Sequence, residues 1–222
     1  MAGVRVTPFH PNFVGQVSGL DLGRGISDAQ RDAIDAAMDR FAVLVFSGQA
    51  LDDTPLFALG YRFGTIEDAA TGTHQDRRRI ANAQINDISN LGSDGSIMTA
   101  DDRHRMSSLG NRLWHSDSSF KKVPASYSML HARVIPPEGG ETEFADMRAA
   151  WVALPLKTKQ AARELVCEHS MIYSRGKIGF HDFSPEELVR CTPVPQRLVR
   201  RHPRTGRLSL FLSSHIGRIQ GW

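Results

Sequence analysis

Apolar side chains recur at helical spacing in ISDAQRDAIDAAMDRF (26–41), where Ile34, Ala37, Met38 and Phe41 fall on one face. Ser27 followed by Gln30 three residues later is a capping-box pattern, so the helix is predicted to start there. The unbroken apolar run AVLVF (42–46) reads as a buried strand. DTPLFALGYRFG (53–64) predicts a second helix, with Thr54 as cap, Pro55 at its first position and Gly64 as its stop. Further on, SYSMLHARVI (126–135) alternates as a strand does, and PPEGGETEFAD (136–146) reads as a turn leading into a short strand. DMRAAWVALP (146–155) predicts a helix that Asp146 can cap and Pro155 ends. LKTKQAARELVCEHS (156–170) predicts a helix running into a strand, and FSPEELV (183–189) one helical turn. RLSLFLSS (207–214) sets Leu208, Leu210 and Leu212 against Ser209, Phe211 and Ser213, a strand pattern.

Residues 65–110 break this order. They are rich in Asp, Asn, Gly, Ser and Arg, with only a short strand-like RRIANAQI (78–85). A connection that long is functional or disordered far more often than it is a plain link. It leads directly into LWHSDSSF (113–120), which favours an active-site lid. Short helices followed by many short strands with Gly and Pro turns predict a mixed α/β chain, a strand-built barrel or sandwich with flanking helices. At 222 residues and 41% hydrophobic, one domain over 1–222 is favoured over two.

Charge and cysteine usage narrow the function classes. The net charge is +3 with basic residues spread along the chain, and the local runs Arg77–Arg79 and Arg200–Arg201 are too small for a nucleic-acid footprint. A small anionic substrate suits that charge better. The two cysteines, Cys167 and Cys191, have no zinc or disulfide spacing. With no apolar h-region at the start and no apolar run long enough to span a bilayer, the expectation is a cytoplasmic protein that uses no membrane. A homo-oligomer stays open, because one chain does not reveal its interface.

The candidate pair for chemistry is His115 and Asp117. On a strand, residues two apart share a face, so an imidazole and a carboxylate would stand side by side. That pair suits a divalent metal such as Fe(II), which two histidines and one carboxylate hold on one octahedral face. The tripeptide alone favours the plainer reading, a surface Asp beside a partly buried His.

The run from LWHSDSSF through YSMLHARVIPPEGGETEFADMRAAWVALP resembles the taurine and 2,4-dichlorophenoxyacetate dioxygenase family, the iron(II)- and 2-oxoglutarate-dependent dioxygenases. The likeness extends to VSGLDL, MDRFAVLVFSGQAL, YRFGTIED, INDISNLGSDGSI and LVRRHPRTGRLSLFLSSHIGRIQGW, nearly the whole chain in order, and is strongest to the 2,4-dichlorophenoxyacetate branch. It implies a double-stranded β-helix, the cupin-like jelly roll, with flanking helices. It also implies Fe(II), 2-oxoglutarate as cosubstrate and O2. His115 and Asp117 would bind the iron, and Thr142 of GGET would hydrogen-bond the cosubstrate carboxylate. Asn111 matches a position facing the primary substrate, His215 lies where it could touch substrate, and His202 matches a histidine that packs or shapes the pocket. Trp114 is expected to pack.

The family also uses a later histidine and, shortly after it, an arginine for the far carboxylate of 2-oxoglutarate. Neither motif occurs before Trp222, and His131, His169, His181, His202 and His215 do not match the position. The expectation is therefore a jelly roll lacking its C-terminal strands, with weak iron binding by the chain alone. The implied reaction hydroxylates an aryloxyalkanoate beside its ether oxygen, giving a phenol and a short oxoacid together with succinate and CO2. A sulfonate substrate such as taurine, or an inactive fragment, are the alternatives. His74, Arg77, Arg78, Arg79 and Arg112 are candidate cations for the substrate anion, and Met106 and Phe120 candidate walls of an aryl pocket.

Overall fold

In the computed structural model, residues 3–67, 79–82 and 84–222 are described. They are mixed helix and sheet, and Cα packing divides the chain into two units. The first unit comprises Met1–Ile66, Tyr127–Asp146 and Pro203–Thr205; the second comprises Glu67–Ser126, Met147–His202 and Gly206–Trp222.

In the first unit, β1 (Arg5–His10) pairs antiparallel with β2 (Val14–Ser18), which pairs in parallel with β3 (Val43–Phe46). The parallel pair needs a crossover, and α1 (Asp28–Phe41) supplies it. The capping box is present: Gln30 N donates to Ser27 Oγ at 3.3 Å and Ser27 N donates to Gln30 Oε1 at 2.8 Å. Ile34, Ala37 and Phe41 are buried, as their spacing predicts. Gly15 on β2 lies so near Phe41 that a Cβ there would come within 2.8 Å of its ring. The α2 helix (Asp53–Tyr61) begins earlier than expected. Its cap position is Asp52, which makes no side-chain capping bond, so Thr54 and Pro55 lie inside the first turn. Leu22, Leu51 and Leu59 form the core, with Phe46, Leu56 and Phe63 packed against them.

The strands expected over 126–135 and after GGET are absent: residues 127–146 of this unit are irregular. A strand exists only where a second backbone completes its ladder, and no described segment pairs with these residues. Both parities of the alternating stretch are exposed, Leu130 at 66% and Val134 at 88% beside Met129 at 43% and Ile135 at 76%. Side-chain bonds hold the segment instead: Tyr127 Oη donates to Asp35 at 2.7 Å, and the His131 ring meets the Gln49 carbonyl at 3.2 Å.

The second unit holds a sheet of order β5 (Val194–Arg197), β4 (Val166–His169), β8 (Ile216–Ile219), antiparallel throughout, and a separate hairpin of β6 (Val199–Arg201) with β7 (Leu208–Leu210). The strand expected over 207–214 is thus only three residues long, although Phe211 N still donates to the Leu198 carbonyl at 2.7 Å just before β6. The α4 (Met147–Ala153) and α5 (Leu156–Ala162) helices contribute Trp151 and Ala162 to a core completed by Cys167, Leu198, Val199 and Leu210. Both cysteines are buried free thiols. The described part of the expected lid is not featureless. Asp102 caps α3 (Arg103–Ser108) by accepting from His104 N and Arg105 N. Arg103 then bridges Asp182 and Glu187, the latter on α7 (Pro185–Arg190). RRIANAQI lies partly outside the described residues, and its described part forms no strand. No helix of the described residues is long and apolar enough to cross a membrane.

Candidate active site

The site grows from the end of α3. A 3-10 turn (Leu109–Arg112) carries Asn111, and the chain then runs extended to His115 before turning at 117–120. No strand forms here. Ser116 Oγ donates to the Leu212 carbonyl at 2.8 Å, and Ser214 N donates to the Trp114 carbonyl at 2.9 Å. These single bonds hold the loop where a ladder was expected. Ser118 takes φ +55°, and its hydroxyl donates to Glu67 at 2.6 Å.

This loop brings the two predicted donors together by a different route from strand pleating. His115 Nε2 lies 3.2 Å from Asp117 Oδ1. His115 Nδ1 lies 2.7 Å from the Leu113 carbonyl, an oxygen that can only accept. The Nδ1 proton is therefore committed to Leu113, and Nε2 faces the carboxylate. The Asp117 bond raises the imidazole pKa, against the opposing effect of burial. A cation placed between Nε2 and Oδ1 would replace the shared proton, so the two residues fit a metal in donor type and orientation. Among the described residues, no group of three His, Cys, Asp or Glu side chains could hold a metal ion.

His215 stands beside the pair, with ring centroids 5.8 Å from His115 and 4.9 Å from Phe120. It is 3% exposed, and burial together with Arg175 pushes its pKa down to about 3, so it is a neutral ring near neutral pH. Phe120 packs edge-on against the His215 ring, whereas Met106 is 37% exposed. Trp114 does not pack as expected, being 61% exposed, because its carbonyl rather than its ring meets the 212–214 segment. His202 is exposed in the turn between β6 and β7, where its backbone N–H donates to Arg207. Thr142 is exposed in the irregular segment of the first unit. Of the candidate cations, Arg79 is engaged by Asp87 at 2.7 Å, Arg112 is exposed, and His74, Arg77 and Arg78 lie outside the described residues.

Sequence reasoning missed Ser174 and Arg175 of α6 (Met171–Gly176). Ser174 Oγ lies 2.9 Å from His215 Nδ1, and Arg175 Nη1 donates to the same hydroxyl at 3.2 Å. A charged residue in so short a helix leaves no periodic trace, and no local pattern marks it.

A family model described as taurine catabolism dioxygenase TauD, TfdA family matches residues 5–222. The chain belongs to this dioxygenase family. It is 42% identical over 212 residues to the alpha-ketoglutarate-dependent 2,4-dichlorophenoxyacetate dioxygenase of Burkholderia sp. (strain RASC), covering 96% of this chain and 71% of the relative. The (S)-phenoxypropionate/alpha-ketoglutarate-dioxygenase of Delftia acidovorans is 33% identical, with 98% and 74% covered. Among solved structures, AAD-2 in complex with Mn(II) and N-oxalylglycine superposes with a TM-score of 0.94 at 48% identity, covering 99% of this chain and 76% of that one. A taurine dioxygenase from Burkholderia xenovorans shares the fold at 20% identity and a TM-score of 0.67.

Proposed function

We propose that this dioxygenase hydroxylates an aryloxyalkanoate, a 2,4-dichlorophenoxyacetate-like acid, at the carbon bearing the ether oxygen. The observation that carries this reading is the His115–Asp117 pair at 3.2 Å, set in a chain 42% identical to a 2,4-dichlorophenoxyacetate dioxygenase. The jelly roll belongs to the same reading, as does the role of residues 65–110 as an active-site lid.

The cofactor set is Fe(II) with 2-oxoglutarate and O2, and when bound it supplies oxygen activation coupled to decarboxylation of the oxoacid. His115 Nε2 and Asp117 hold the metal, and the Leu113 carbonyl fixes the imidazole tautomer that presents Nε2. Thr142, in the GGET turn, donates its hydroxyl to a 2-oxoglutarate carboxylate. Phe120 and the neutral His215 ring line the aryl side and exclude water. Asn111 faces the substrate. The hydroxylated ether carbon is a hemiacetal, which collapses to a phenol and a short oxoacid.

A substrate panel tests the reading. Fe(II)- and 2-oxoglutarate-dependent release of phenol from aryloxyacetates is expected, with at least a hundredfold loss in His115→Ala. Sulfite release from taurine without phenol release would replace the aryloxyalkanoate by a sulfonate. Retained activity in His115→Ala would remove its ligand role.

A further inference from the structure

Arg175 is 7% exposed, yet among the described residues none of its guanidinium nitrogens meets a carboxylate. Its Nε is buried with no hydrogen-bond partner. Nη1 donates to Ser174 Oγ at 3.2 Å, and Nη2 reaches Asn111 Oδ1 at 3.4 Å. The charge is wedged against the backbone, because a Cβ on Gly110 would come within 2.8 Å of Nη1. A buried cation without a counter-anion is costly and persists where something else requires it.

The guanidinium only donates. It therefore decides which way the Asn111 amide lies: Oδ1 must face Arg175, and the two Nδ2 hydrogens face away from it. Asn111 itself is exposed, four residues before His115, so those hydrogens are open to a ligand from solvent. The same arginine is tied through Ser174 to His215, whose ring stands 5.8 Å from His115.

We infer that Arg175 is the positioning residue for the substrate's anionic group: it locks Asn111 with its donors outward and supplies the fixed positive charge behind them. This rests on the proposed reading only in taking Asn111 to face the substrate. It accounts for anion recognition without any of the loop arginines. An acid is favoured over its neutral amide because the outward face of Asn111 offers donors alone, backed by a charge in a low-dielectric interior.

The test is direct binding to the protein, so it does not depend on turnover. The chain is titrated with phenoxyacetate, with neutral phenoxyacetamide and with taurine, while the side-chain amide signals of Asn111 are followed in 1H–15N spectra. Wild type is expected to bind the carboxylate at least tenfold more tightly than the amide, with the Asn111 signals moving. Arg175→Met should lose most of that preference, and Arg175→Lys, which restores charge but not the fork, should recover part of it. Asn111→Asp keeps the acceptor facing Arg175 but turns the outward face from donor to acceptor, and should abolish the preference. This change is at an exposed position, so it remains informative if Arg175→Met does not fold. Unchanged preference in folded Arg175→Met or Asn111→Asp, or no preference in wild type, overturns the inference. Tighter binding of the sulfonate than of the carboxylate, still lost in Asn111→Asp, would sink the aryloxyalkanoate reading and uphold this one.

Discussion

His169 shows at the residue scale how burial sets a property that its identity does not. Its side chain is fully buried on β4 and stacks on Phe211, with centroids 5.6 Å apart and the planes at 20°. Neither ring nitrogen has a partner among the described residues. Burial, and then Arg200, push its pKa down to about 4. The neutral form therefore belongs to the folded state, while the unfolded chain takes up a proton near pH 6.5. Its contribution is complete above pH 6.5 and is lost as pH falls from 6.5 toward 4, amounting to about 3 kcal/mol across that window. His215, buried nearby, adds to the same slope. Urea midpoints measured at pH 7.5, 6 and 5 should fall progressively, and His169→Leu should flatten the fall. A midpoint independent of pH in wild type would contradict this account. For His115 and Asp117 the sequence predicted an imidazole and a carboxylate side by side, and they stand 3.2 Å apart. It did not foresee that a turn through Ser118 at φ +55°, rather than a pleat, would bring them together.

At the scale of elements, legibility followed local completeness. Everything α1 needs lies in its own 14 residues and the cap before them: the cap at Ser27, the reciprocal bond from Gln30, and an apolar stripe ending at Phe41. Ser27→Ala should cost about 1 kcal/mol in thermal or urea unfolding, since it leaves one orphan N–H of the first turn unsatisfied. Expected strands fared worse because each needs a partner that local pattern does not name. Leu208–Leu210 has one in Val199–Arg201, whereas residues 126–135 have none among the described residues. The α3 helix, missing from the periodicity, depends on Asp102 at its start and on Arg103 reaching Glu187 at 2.6 Å across 84 residues. Arg103→Ala should destabilise the second unit by about 1–2 kcal/mol, the low end because the guanidinium is partly solvated while Glu187 keeps its bond from Ser184 N. Faster amide exchange over 103–108 would report it.

For the molecule as a whole, the metal site we propose rests on the His115–Asp117 pair, which no third His, Cys, Asp or Glu joins among the described residues. The expected consequence is that Asp117→Ala weakens Fe(II) binding at least tenfold in anaerobic titration, because it removes the carboxylate facing His115 Nε2. Unchanged binding in Asp117→Ala would remove its ligand role. Family membership and the α1 segment with its cap were determined by the sequence alone, because each is written in the order of neighbouring residues. Tertiary structure alone decided that Arg175 lies against Asn111, 64 residues away, and that Ser174 meets His215 across 41. Those pairings rest on chain crossings that bring distant side chains within bonding distance, and no local period encodes a crossing.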